Sequence, residues 1–167
     1  MTTQPRDCVG FRELLDFAQE ESRRWHDWFN KNPRALDVKV DIATAPDVRT
    51  LVLHIVAVEL RYAEWLLGEQ ITPWQSISTA SADFLFAASD AAFSRFRKLI
   101  DSAAPKEWDE MMAFPKPMEG LKASRRRCFV HTIFHSARHW AQLATALRSA
   151  GFKQDWQHDF LFTSAME

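Results

Sequence analysis

Three histidines, His131, His135 and His139, recur at four-residue spacing in the last third of the chain. On a helix at ~100° per residue, four residues advance just over one turn, so neighbouring imidazoles stand one above the other on one face. Two imidazoles placed this way can converge on a single metal ion, as in helical zinc sites. All three cannot share it, because at about 1.5 Å per residue His131 and His139 are ~12 Å apart along the axis. An adjacent pair is therefore expected to bind, either His131/His135 or His135/His139, and the remaining histidine takes another part. His54 is the candidate third ligand. It sits in the charge-free run Leu51-Val52-Leu53-His54-Ile55-Val56-Ala57-Val58, where a buried imidazole without a partner would cost roughly 1–3 kcal/mol. Three neutral imidazoles with a fourth position left to water or substrate form the pattern of a catalytic metal site, not a closed structural one. Imidazole donors accept zinc, nickel, copper and iron alike, with zinc and nickel the leading candidates.

Other chemistries lack their residues. There is no HExxH for a zinc protease and no ExxH for a di-iron bundle. No glycine loop cradles phosphate, and no serine sits in a nucleophile elbow. His26, in Trp25-His26-Asp27-Trp28, and His158, in a polar tail, read as surface or rim residues, and Cys128 reads as core.

Four helices would position these side chains. The first is expected from about Asp7 to Asn30, with apolar residues Phe11, Leu14, Leu15, Ala18, Trp25 and Phe29 at three- and four-residue spacing, ended by Asn32-Pro33. Leu36, Val38, Val40 and Ile42 then alternate with charged residues, as in a short strand or an extended connection. The second helix is expected to open at Thr44-Ala45-Pro46-Asp47, with Thr44 or Ala45 as cap and Pro46 in the first turn, and to stop at Gly68. The third is expected from about Ala80 to Ser102, capped by Ser81 or Ser78 and closed off by Pro105. Residues 106–120 lack a helical period and read as a long crossover loop with room for a short hairpin. The fourth helix is expected from about Leu121 to Ala150, stopped by Gly151. Its only charges between Cys128 and Phe152 are Arg138 and Arg148, which predicts that most of its circumference is buried. Trp156, Phe160 and Phe162 predict a tail that packs back on the body. The fold class is all-α, a four-helix bundle, and residues 1–167 form one domain, with no repeat or linker to divide them.

Composition narrows the function. Thirteen Phe and seven Trp beside four Gly argue for long helices over a many-turned β fold. A formal net charge of −1 is a poor basis for nucleic-acid binding, which draws on neutralised phosphates. No run approaches the ~18 apolar residues of a membrane span, and the N-terminus shows no secretory signal. Cys8 and Cys128 lie far apart and read as reduced thiols of a cytoplasmic protein.

At His135-Ser136-Ala137-Arg138-His139-Trp140-Ala141-Gln142-Leu143, followed by Leu147-Arg148-Ser149-Ala150-Gly151, the sequence resembles the DinB-like metal-binding four-helix bundles. Val48-Arg49-Thr50-Leu51-Val52-Leu53-His54, with Glu59, Arg61, Tyr62 and Leu66-Leu67-Gly68, is similar to the family's second helix, and Arg12-Glu13-Leu14-Leu15 to its first. The resemblance implies a divalent ion on His54, His135 and His139, and so selects the later pair. It departs at Trp140-Ala141, where the family usually has Arg-Gly, which removes a charge expected beside the site. Members of the superfamily include thiol S-transferases that use bacillithiol or related thiols, and mycothiol-dependent isomerases. The resemblance thus implies a metal that binds a thiol sulfur and lowers its pKa, with a low-molecular-weight thiol and a small electrophile as partners. Arg125-Arg126-Arg127 could receive an anionic group of such a thiol or form a solvated turn, and Trp140 with the tail aromatics could line an electrophile pocket or pack in the core. The expected function is a metal-dependent thiol S-transferase or hydrolase, the alternative a non-catalytic, stress-related metal-binding protein or dimeric scaffold. A homodimer is expected of so aromatic a bundle.

Overall fold

The computed structural model describes residues 9–116 and 118–164. Four helices carry the architecture: α1 (Phe11–Lys31), α2 (Val48–Leu66), α3 (Ala82–Ser102) and α4 (Arg125–Ser149). Two small antiparallel hairpins precede α2 and α4: β1 (Lys39–Ile42) with β2 (Ala45–Asp47), and β3 (Met111–Ala113) with β4 (Lys122–Ser124). The architecture is an all-α four-helix bundle with a long crossover before its last helix.

Helix α1 begins at Phe11, where the Glu13 carboxylate reaches back to accept the Gly10 N–H at 2.5 Å. The earlier start expected at Asp7, and Cys8 with it, lies outside the described residues. Leu15, Ala18, Ser22, Trp25 and Phe29 form its buried stripe. Asn32 ends it, its side-chain amide donating to the Trp28 carbonyl at 2.9 Å ahead of Pro33.

Two helix starts differ from the expectation. Residues 45–47 are extended, and Asp47 is the cap of α2, its carboxylate accepting the Thr50 N–H at 2.9 Å. Proline suits an edge strand as well as a first turn. What decides is that Ala43 and Thr44 take positive φ (51° and 68°), folding β1 back onto β2. In the same way Lys122–Ser124 pairs with Met111–Ala113, so α4 starts at Arg125, not Leu121, with Ser124 as its cap. Helix α3 starts at Ala82 behind Ser81, and α2 and α4 run out before Gly68 and Gly151, at φ +71° and +89°.

Helix α2 packs against α3 and α4, and α1 against the same two. Aromatic rings fill the centre: Trp25 stacks on Trp140 (5.5 Å, 19°) and on Phe29 (5.6 Å), and Trp140 on Phe86 (6.0 Å). The exposed face of α4 corrects a further expectation. His131, Phe134 (62% exposed), Arg138, Ala141, Gln142 and Thr145 all face outward, so the scarcity of charge marks a sparsely charged outer face, not burial all round. The tail packs back as expected: the Trp28 indole donates to the Lys153 carbonyl at 3.2 Å, and Phe160 meets Phe17 at 5.3 Å. Among the described residues, no helix is long and apolar enough to cross a membrane.

Candidate metal centre

Asp47 sets the start of α2, and seven residues later His54 faces α4. There His135 and His139, one turn apart, present their rings to it. The three rings have centroid separations of 4.9 Å (His54–His135), 4.8 Å (His54–His139) and 4.5 Å (His135–His139). One nitrogen from each lies within 4.8 Å of the others. His54 and His135 approach through their Nε2 atoms at 3.1 Å, close to the ~3.3 Å between two nitrogens in a tetrahedral zinc shell.

The donor chemistry fits a divalent cation. Burial pushes the His54 and His139 imidazoles below their usual range, and pushes His135 down to about 3. The charged groups that add to this are the neighbouring histidines and the Arg138 guanidinium. All three rings are therefore neutral lone-pair donors at pH 7. Gln142 settles the tautomer of one: its Oε1 accepts from His139 Nδ1 at 2.8 Å, which leaves Nε2 as the lone pair. Arg138 donates to that lone pair through Nη2 at 3.1 Å. Among the described residues, buried His135 Nδ1 has no hydrogen-bond partner, and Nε2 is the nitrogen that His135 turns to His54. Trp74, on the connection between α2 and α3, stands beside His54 at 5.7 Å.

The sequence model of the DinB superfamily matches residues 44–143, more than half of the 167. The chain belongs to the DinB superfamily. The match begins before α2 and ends one residue past Gln142, so it takes in His54, His135 and His139 and leaves out α1 and the tail. Curated proteins give no significant match.

In this DinB-superfamily chain His131 stays outside the group of three. It is exposed and lies between His135 (5.9 Å) and the ring of Tyr62 (5.8 Å). His26 is a rim residue bonded to Asp83 at 2.7 Å. His158 is also a rim residue, but a fixed one: its ring stacks on Trp25 at 5.4 Å and its Nδ1 bonds to Glu21 at 2.5 Å, because the tail folds over α1. Cys128 is core, as expected. The arginine run at 125–127 is largely committed, Arg125 to Glu110 (3.1 Å) and Arg126 to Asp109. Trp140 lies in the aromatic core, while Arg138 brings a guanidinium to the histidines after all.

Sequence reasoning gave Glu59 no role beyond its place in the second-helix resemblance. It is buried and joins one residue from each helix: Ser89 donates to Oε2 and Ser136 to Oε1, each at 2.7 Å, and Ser22 pairs with Ser89 at 2.8 Å. Burial raises its pKa from 4.5 to about 7 against the pull of the two hydroxyls. The signal was its place on the stripe Val52, Ile55, Val56, Glu59, Ala63 and Leu66, all buried.

Proposed function

We propose that this protein holds one divalent metal ion on His54, His135 and His139 and acts as a metal-dependent enzyme, a thiol S-transferase or a hydrolase. The observation that carries the proposal is the charge balance: three neutral imidazoles, with Arg138 as the ionised group acting on them. Neutral donors leave a bound ion its whole positive charge, which favours an anionic partner over a closed shell. Zinc or nickel suits such donors best. When bound, such an ion supplies acidity, favouring the deprotonated form of a thiol or water beside it.

The protein's own residues prepare that chemistry. Gln142 holds His139 in the tautomer that offers Nε2. Arg138, now bonded to that nitrogen, is placed to turn to an anionic group entering the site. It thus supplies the cation that Trp140-Ala141 would otherwise remove. Trp74 adds an apolar wall beside His54. The matching substrates are an anionic low-molecular-weight thiol and a small electrophile, in the cytoplasm. A homodimer is proposed with them, supported by the exposed Phe134 on the sparsely charged outer face of α4.

The test is a rate assay with 1-chloro-2,4-dinitrobenzene, with glutathione or 2-mercaptoethanol as thiol, beside a nitrophenyl ester for hydrolysis. Metal-loaded protein should outpace demetallated protein in one of these reactions. For the thiol reaction, Arg138→Ala should raise KM for glutathione and leave that for uncharged mercaptoethanol unchanged. Equal rates with and without metal in every reaction would refute catalysis and leave a non-catalytic metal-binding protein.

A further inference from the structure

The side of α4 turned away from the histidines lines a cavity. At ~100° per residue, Ile133, Ala137 and Trp140 fall roughly opposite His135 and His139 around the helix. With Phe17 of α1 they wall a space of about 240 Å³, and the tail at His158 closes it. A dry apolar cavity of about 150 Å³ is enough for benzene. This one has room for a substituted or fused aromatic ring.

Its polar chemistry is gathered at one place. Buried Glu21 accepts from the Trp25 indole at 2.7 Å, the Trp156 indole at 3.1 Å and His158 Nδ1 at 2.5 Å. His158 is therefore fixed in orientation, lying over Trp25 (5.4 Å, 21°) and against Trp156 (4.9 Å). With Nδ1 committed to Glu21, Nε2 is the ring nitrogen left over. That nitrogen makes no hydrogen bond among the described residues. Ser136, also on the wall, is already committed to Glu59. A carboxylate that fixes a histidine through one nitrogen, at the edge of an aromatic-walled space, leaves the other for a ligand that brings a ring and a hydroxyl.

We propose that this cavity is a binding site for a small phenol. The ring would lie among Phe17, Ile133 and Trp140, and the hydroxyl would hydrogen-bond to His158 Nε2. The site is separate from the three-histidine centre and does not depend on it.

The test is calorimetric titration of the metal-loaded protein with 1-naphthol, with naphthalene as the ring without the donor. The expected result is saturable one-to-one binding of 1-naphthol. His158→Phe should weaken it about tenfold, the usual effect of one lost hydrogen bond, and leave naphthalene unchanged. Ala137→Leu, which fills the cavity, should remove binding of both ligands while the metal content stays as in the wild type. If His158→Phe does not fold, Ala137→Leu decides the matter alone. No saturable binding to the wild type, undiminished 1-naphthol binding in either variant, or binding lost with the metal would each overturn the proposal.

Discussion

Glu59→Gln is the perturbation with the clearest sign. The Glu59 carboxyl titrates near pH 7 in the folded protein and at 4.5 as an unperturbed group. Between those values the folded protein keeps a proton that the unfolded chain releases. Stability from this group is thus fully present below about pH 4.5 and is lost as the pH rises through about 7. The whole shift corresponds to roughly 3.4 kcal/mol at 1.36 kcal/mol per pKa unit, of which roughly 2.5 kcal/mol falls between pH 5 and pH 8. Glutamine keeps the shape and can bond both serines, accepting from one and donating to the other, since hydroxyls rotate. The assay is urea unfolding of wild type and Glu59→Gln at pH 5 and pH 8, both with chelator to keep metal out. Other titrating groups act alike in the two proteins and cancel in the difference. The stability of the variant relative to wild type should improve by about 2–3 kcal/mol from pH 5 to pH 8. A difference that does not change with pH, or a variant that fares worse at pH 8, would show that Glu59 is ionised and satisfied by Ser89 and Ser136, and the burial reasoning would fail.

Further outcomes follow from the same contacts. His135 has a depressed pKa in the folded state, so its contribution is present above the unfolded value near 6.5 and is lost as the pH falls toward about 3. In the metal-free protein, His135→Gln should reduce acid sensitivity between pH 6 and pH 4 by about 2 kcal/mol, allowing for protons shared among the three rings, as read by denaturant midpoints. Trp140→Ala removes a ring stacked on Trp25 and Phe86 and should cost about 3–5 kcal/mol in chemical unfolding. Gln142→Leu frees the His139 tautomer and should weaken metal affinity by about 10- to 100-fold in a chelator competition, with stability changed by less than about 0.5 kcal/mol because position 142 is exposed.

The histidine set was legible in parts: spacing marked an adjacent pair among His131, His135 and His139, the charge-free stretch marked His54, and the family resemblance chose the later pair. The helices were legible through their apolar stripes, and their ends through Asn32-Pro33, Gly68 and Gly151. The two hairpins were legible only in part, as the alternating run to Ile42 and as room for a short hairpin in the crossover. Pro46 fits a first helical turn and an edge strand equally, and a pairing of only three residues, Met111–Ala113 with Lys122–Ser124, leaves little pattern to read. The outer face of α4 was misread because burial was inferred from missing charge, while Phe134, Ala141 and Thr145 occupy exposed positions. The partners of His158 and of Glu59 were hidden for a different reason. Glu21 and His158 are 137 residues apart, and Glu59 and the three serines around it come from four helices. Such pairings exist only after the chain has folded.

The most direct measurement is the metal content of the purified protein by elemental analysis, beside His54→Ala and His139→Ala. The expected result is about one divalent ion per chain in the wild type, held at micromolar free metal, and loss of that ion in both variants. A wild type that binds no divalent ion, or variants that keep a full complement, would contradict the three-histidine centre.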